Sequence, residues 1–405
     1  MHGKRICMVT YVSDPSSLPP LLNKARSLAR SGYDVRVLCL TERPELPRLE
    51  RYAGDFDVVR IYSKTRRLFS RMYGLSPRST LTAFVQYFAT YAEYNVRAIA
   101  AALRSKADLF EAHDLPTLPA TLSAAALRGR PVLYHAHELH AETHRKVRFA
   151  GFWRHLERTL VPLVDTVITP EANRSRIMRE EAGARRPPVT IMNCPPYRPP
   201  MRTSVIPEEL RRRGIEARFV LLYQGLLDEE RCIKELLAAT RYFANGTVLV
   251  LIGSGYGEYA DLRPLIPDPQ RAVVLPPVHY DELHHYTASA DAGVLLYRNT
   301  CRNNYYCAPN KVHEYMMMGL PVITNDYPGM RELVSGERVG LTVDCEDPRD
   351  IAEAVRRLVD EPDTYRAFRE NALRCSRDRY NWERESHRLD AVYERLLGGA
   401  GPVGA

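Results

Sequence analysis

The residues whose types and spacing could do chemistry gather in one stretch, Pro309-Asn310-Lys311-Val312-His313-Glu314. A proline here suits the first turn of a helix, where its missing N–H is not needed. The pattern predicts a helix over Asn310–Met318, a left-handed stop at Gly319 and, after Pro321, a buried strand at Val322-Ile323. Such a loop-to-helix junction turns free backbone N–H groups outward, which favours anions such as phosphate. Glu314 lies one turn past Asn310 and faces the same mouth, where its carboxylate can accept two hydrogen bonds from a diol. The same pattern also fits an ordinary βα unit with Met316–Met318 as core packing. A second group stands at strand ends: His113 and Asp114 after Leu109–Ala112, then His137 and Glu138 after Pro131–Tyr134. An imidazole beside a carboxylate is an acid–base set. A satisfied structural histidine is the alternative for each, and the expected reading of His135 and His140.

Composition narrows the classes. With 405 residues and a hydrophobic fraction of 45%, two domains with two cores are expected. No apolar run reaches the ~18 residues of a membrane span. The N-terminal Met1–Tyr11 enters a strand-like run too quickly for a signal peptide, and the C-terminal Gly-rich tail has no lipidation box. The eight cysteines are scattered, at 7, 39, 194, 232, 301, 307, 345 and 375, with no Cys-x2-Cys pair. A zinc site or disulfide framework is therefore not expected, and a reducing cytoplasm fits. The net charge of +8 suits anionic ligands or an anionic membrane surface. Nucleic-acid binding would need a basic stripe with interleaved aromatics. The nearest candidate, Lys64–Tyr73, reads first as a solvated helix or loop, with a weak membrane-surface contact as its alternative.

Strands must position these residues, and the chain supplies them. Ile6–Tyr11, a helical run over Leu21–Ser31, and Val35–Leu40 make a βαβ opening. Its first turn is Val12-Ser13-Asp14-Pro15-Ser16-Ser17, not Gly-x-Gly-x-x-Gly, so no dinucleotide grip is expected there. Val58–Ile61, a long helix over Leu81–Leu103, and the strands at 109–112, 131–134, 166–169 and 190–193 continue the alternation. Proline clusters mark a linker at 196–215. The pattern then restarts with strands at 219–223, 248–252, 292–296 and 341–343, and ends in amphipathic helices. The fold expected is α/β, two Rossmann-like parallel-sheet domains facing a central cleft. The predicted divisions are 1–195, the linker, 216–380, and a terminal segment 381–405 that crosses back.

Several segments together resemble the retaining glycosyltransferases of the GT-B fold, family 4 (group 1). Pro309–Ile323 is similar to that family's nucleotide-sugar helix and turn. Tyr223-Gln224-Gly225-Leu226-Leu227 with Arg231 and Lys234 resembles its diphosphate loop, and Ile252-Gly253-Ser254-Gly255 its glycine turn. Val339-Gly340-Leu341, Asp347-Pro348 and Trp382 resemble its C-terminal pattern. Glu111–Pro116 and Tyr134–Glu138 look like its acceptor-side loops. The resemblance implies catalytic roles for His113, Asp114, Arg231 and Lys311. It implies donor contacts from Gly225, Arg231, Gly253, Val278, Tyr306, Cys307, Ala308, Pro309, Asn310, Lys311 and Glu314, with Cys307 a small neighbour rather than a nucleophile. Asp14, His137 and Glu138 fall on the acceptor side. Where the family often carries Glu-x7-Glu, ending here at Glu314, Tyr306 takes the first place. Leu226 takes the place of an arginine common directly after the loop glycine.

What the resemblance implies is transfer of a sugar from a nucleotide-diphosphate sugar, with retention, no metal and no further cofactor. The acceptor expected is a small molecule, such as a natural product; a lipid-linked or envelope acceptor is the alternative. A GT-B epimerase or phosphorylase, or a non-catalytic sugar-nucleotide binder, are the competing readings. Nucleic acid is not an expected partner.

Overall fold

The computed structural model describes residues 3–41, 45–65, 80–143 and 147–398. Two compact units divide the chain: Met1–Glu142 with Lys146–Ile191 and Ser386–Ala405, and Met192–Glu385 with Thr143–Arg145.

The first unit is built on β1 (Arg5–Thr10), β2 (Asp34–Thr41), β3 (Leu49–Tyr52), β4 (Phe56–Tyr62), β5 (Leu109–His113), β6 (Val132–His135), β7 (Thr166–Thr169) and β8 (Val189–Thr190). They lie in the order β3-β4-β2-β1-β5-β6-β7-β8. All neighbours pair in parallel except β3 with β4, which form an antiparallel hairpin. The sequence reading missed β3; the turn after it places Ala53 and Gly54 at φ 47° and 78°, a loop conformation that an Ala-Gly pair signals weakly. The helices are α1 (Pro19–Arg30), α2 (Thr80–Ser105), α3 (Leu118–Arg128), α4 (Ala150–Leu160) and α5 (Ala172–Glu180). On α1 the buried set Leu21, Leu22, Ala25 and Leu28 is the apolar stripe read from the sequence, but Lys24 is buried with it.

The second unit holds α6 (Val205–Arg212), β9 (Phe219–Gln224), α7 (Ile233–Ala239), β10 (Thr247–Ile252), β11 (Ala272–Leu275), α8 (Tyr280–Thr287), β12 (Ala292–Leu295), α9 (Asn310–Met317), β13 (Val322–Asn325), β14 (Gly340–Val343), α10 (Pro348–Asp360) and α11 (Pro362–Asp378). Its order, β11-β10-β9-β12-β13-β14, is all parallel. The expected linker 196–215 needs correction. Val205–Arg212 is helical, and Ile206 and Leu210, one turn apart, enter the core of this unit. The proline clusters break helix only as far as residue 200, and Pro207 falls in a first turn, where it is tolerated. The terminal helix, α12 (Trp382–Leu397), begins among residues of the second unit and ends among those of the first.

The basic stretch Lys64–Tyr73 lies outside the described residues from position 66 onward. Among the described residues no helix is long and apolar enough to cross a membrane.

Candidate functional site

In the second unit the strand order reverses between β9 and β12, where open α/β sheets place ligands beyond the carboxyl ends of their strands. The two strands pair only at Ala292–Leu221 and Gly293–Leu222. Beyond that point the Tyr315 hydroxyl bridges them: it accepts the Gln224 N–H at 3.1 Å and donates to the Val294 carbonyl at 3.4 Å. Its ring lies where a Cβ on Gly293 would fall 2.3 Å from it, so only glycine fits. Tyr315 thus pins α9 over the switch point and points its neighbour, Glu314, at the same place.

Glu314 is 8% exposed. Its Oε2 accepts from Gln224 Nε2 at 2.6 Å, and Gln224 Oε1 accepts from the Thr287 hydroxyl at 2.8 Å. Its Oε1 is buried with no hydrogen-bond partner, and Lys311 Nζ stands 3.6 Å away. Pro309 is the N-cap of α9, one residue outside the predicted first turn, with extended backbone and no side-chain cap on the helix. The first amides of α9 are therefore not satisfied by a capping side chain. Met318 and Gly319 end the helix as expected, Gly319 at φ 72°. Asn193 Nδ2 donates to the Ala308 carbonyl at 3.1 Å and ties down the entering loop.

Arg231 ends a short turn after β9, with its guanidinium 4.2 Å over the Tyr297 ring. That turn is stapled to the loop before α9. The Arg298 N–H donates to the Glu230 carbonyl at 2.8 Å, Asn304 Nδ2 to the Glu230 carboxylate at 2.7 Å, and Arg298 pairs with Glu235. Lys234 points elsewhere, to Glu258 at 2.9 Å on the surface. Gly253 has a packing reason for being glycine: a Cβ there would stand 1.8 Å from the Gly225 carbonyl oxygen. The turns after β9 and β10 are zipped by Gly225 N–H to Ile252 and Leu227 N–H to Ser254, each at 2.9 Å. Gly225 itself is at φ 148°. Val278 is half-buried against the core, and Tyr306 packs edge-on to Tyr305 at 5.0 Å.

In the first unit the order reverses between β1 and β5. Here side chains at the carboxyl ends of β5 and β6, with Lys24 of α1, form an interior charge cluster. Lys24 of α1 donates to Glu111 Oε1 at 2.5 Å and to His135 Nδ1 at 2.7 Å, and all three are buried. Tyr393 of α12 donates to the other Glu111 oxygen. His113 Nδ1 meets His137 Nε2 at 2.8 Å. Burial, then the Lys24 charge, holds the His113 imidazole far below its ordinary range, and puts His137 at about 3. These imidazoles are neutral. Nitrogens of His113, His135 and His137 lie within 4.8 Å of one another, a spacing that suggests a metal. Yet His135 and His137 are stacked, 3.8 Å apart at 25°, so their lone pairs run side by side rather than converge. A metal would also have to displace the Lys24 ammonium.

Asp114, next along, sits at φ 64°, ψ 158°, a region almost reserved for glycine. Four hydrogen bonds clamp it there: its N–H to the His135 carbonyl (3.0 Å), its Oδ1 from the His137 N–H (3.0 Å), and its carbonyl from the Thr117 N–H (3.2 Å) and hydroxyl (2.9 Å). Its carboxyl is pushed up to about 8 by burial and by Glu138, the backbone donors offsetting only part. Glu138 is exposed. The Asp14 carboxylate is already engaged by Ser16 (2.9 Å to its N–H), the Tyr52 hydroxyl (2.9 Å) and Arg60 (3.6 Å).

Two family models match the chain: residues 21–195 match the glycosyl transferase 4-like domain, and residues 218–361 match glycosyl transferases group 1. The fold matches the sucrose-phosphate synthase of Thermosynechococcus elongatus over 98% of this chain and 100% of that one, at a TM-score of 0.78 and 17% identity. This chain is a glycosyltransferase of the GT-B fold. The glycosyltransferase is also similar to Anabaena HepE in complex with UDP and glucose: TM-score 0.71, 15% identity, 97% and 100% of the two chains covered. A trehalose-6-phosphate protein of E. coli bound with UDP-2-fluoro glucose gives 0.70 and 12%, covering 97% and 99%. No curated protein matches the sequence of this glycosyltransferase significantly.

Sequence reasoning did not single out Gln224, Thr287, Tyr315, Asn193, Lys24, Glu111 or Tyr393 as site residues. Lys24 carried a signal: it lies three residues after Leu21 and four before Leu28, on the apolar face of α1. Tyr393 and Thr287 reach their partners from distant positions, and no local pattern marks them.

Proposed function

We propose that the protein transfers a sugar from a nucleoside-diphosphate sugar to a small-molecule acceptor, with retention and without a metal. The observation that carries the donor half is Glu314 Oε1, buried and without a hydrogen-bond partner, beside Lys311. A buried acceptor atom left open costs about 1–3 kcal/mol, which a ribose hydroxyl would recover. Lys311, the open amides of α9 and the Arg231 guanidinium are the cations and dipoles that would neutralise charge on the departing diphosphate. UDP-sugars are the first donors to try, since HepE is similar and binds UDP and glucose. On the acceptor side, exposed Glu138 and protonated Asp114 are the groups available to hydroxyls, while His113 and His137 position the Asp114 loop from within. The acceptor proton leaves with the departing phosphate through same-face attack on an oxocarbenium-like sugar.

The test is a thermal-shift panel of UDP, GDP, ADP and TDP with their sugars, on wild type and Glu314→Ala. One base should raise the melting temperature of wild type alone. Equal shifts in both proteins would refute the donor site. Incubating the responding sugar nucleotide with and without candidate acceptors, in EDTA, then separates a transferase from an epimerase and tests the metal-free reading.

A further inference from the structure

Gln224 stands at the last position of β9 and is 1% exposed; Thr287, at the end of α8, is equally buried. The amide between them can face two ways. Facing as it does, its NH2 donates to the Glu314 carboxylate and its oxygen accepts from Thr287. Flipped, its oxygen would oppose the Glu314 carboxylate, so Glu314 selects the orientation; the Thr287 hydroxyl, which can donate to the Gln224 oxygen or to the Leu283 carbonyl at 3.0 Å, supports it. One Glu314 oxygen is thereby anchored, and the other is left open and buried. The carboxylate can neither rotate freely nor turn both oxygens fully to a ligand. The diol of a ligand would meet the open oxygen and only the remaining lone pair of the anchored one.

We propose that Gln224, supported by Thr287, is the positioning residue that presents Glu314 Oε1 to the donor ribose and so sets the preference for ribo- over deoxyribonucleotides. This rests on the donor site proposed above. The function of the pair is orientation of an anion, not contact with the reacting atoms.

Three proteins test it: wild type, Gln224→Glu and Thr287→Val. The readout is calorimetric affinity for the preferred nucleoside diphosphate and its 2′- and 3′-deoxy analogues at pH 6, 7.5 and 9. In Gln224→Glu a carboxylic acid replaces the amide at low pH. As pH rises its proton is lost and two anions face each other. Affinity should stay close to wild type at pH 6 and fall roughly ten- to hundredfold by pH 9, with the ribo/deoxy ratio collapsing. In steady state the loss should appear in the donor KM, with kcat nearly unchanged. Thr287→Val should lower the ribo/deoxy ratio in the same direction, by less, and it carries the test if Gln224→Glu does not fold. Wild-type ratios and pH profiles in the folded variants would overturn the positioning role and leave the donor site standing. A wild-type protein that binds no nucleoside diphosphate would overturn both.

Discussion

Asp114 concentrates the unusual physics of the acceptor-side loop. Its backbone is held in a conformation that costs on the order of 1–3 kcal/mol, and its carboxyl is protonated at neutral pH. The sign of the pH effect follows from a folded value of about 8 against an ordinary 3.8. Folding holds a proton that the unfolded chain gives up, so the contribution of this group is complete below about pH 4. It is lost as pH rises through about 8, with a slope of at most ~1.4 kcal/mol per pH unit. Asp114→Asn is neutral throughout. Denaturant titrations at pH 5, 7 and 9 should show the variant gaining on wild type as pH rises, and a constant difference would refute the raised value. If protonated Asp114 donates to the acceptor, wild-type turnover should also fall above about pH 8.

At the scale of elements, the donor site depends on how closely α9 lies on β9 and β12. Gly293 is the gauge of that approach. Gly293→Ala would place a methyl against the Tyr315 ring, and should cost about 1–3 kcal/mol in thermal unfolding while weakening nucleotide binding. An alanine variant with wild-type stability would mean that α9 can back away without consequence. Most of this layer was legible in the sequence: α9, its Gly319 stop and the strand behind it follow from local pattern. Arg231 and Lys311 were reached through the family resemblance, and Glu314 also through its place one turn past Asn310; their roles at the donor belong to the proposal above. What sequence could not show is the amide chain from Thr287 through Gln224 to Glu314, whose members are joined only when the strands are laid side by side. Nor could it show that Gly253 makes room for the Gly225 carbonyl. The linker was misjudged for a related reason. Proline marks where regular structure stops, but Ile206 and Leu210, one turn apart, decide that it starts again.

Across the whole molecule, buried imidazoles set the acid limit. Burial puts His137 at about 3 and His140 and His313 at about 4 in the folded state. Values lowered by folding stabilise above the unfolded value, about 6.5, and that contribution is lost as pH falls through the folded values. Unfolding should therefore take up protons, and in the Asp114→Asn variant, which lacks the opposing contribution of that carboxyl, the melting temperature should drop steeply between pH 6.5 and 4; a flat profile there would contradict neutral, buried histidines. The Lys24–Glu111 ion pair adds a second vulnerability, because its remaining carboxylate oxygen is satisfied by Tyr393 alone among the hydrogen bonds described. Tyr393→Phe leaves that oxygen buried and should destabilise the protein by about 1–3 kcal/mol. An unchanged denaturation midpoint would show that the contact is dispensable. The bond spans 282 residues of chain. A ribosome adding roughly 5–20 residues per second therefore leaves Glu111 waiting for Tyr393 for on the order of 14–56 s. The interior of the first sheet is thus one of the last parts of the protein to be finished, although its strands are the first to be made. Nascent chains stalled before Tyr393 should be more protease-sensitive around β5 than released protein.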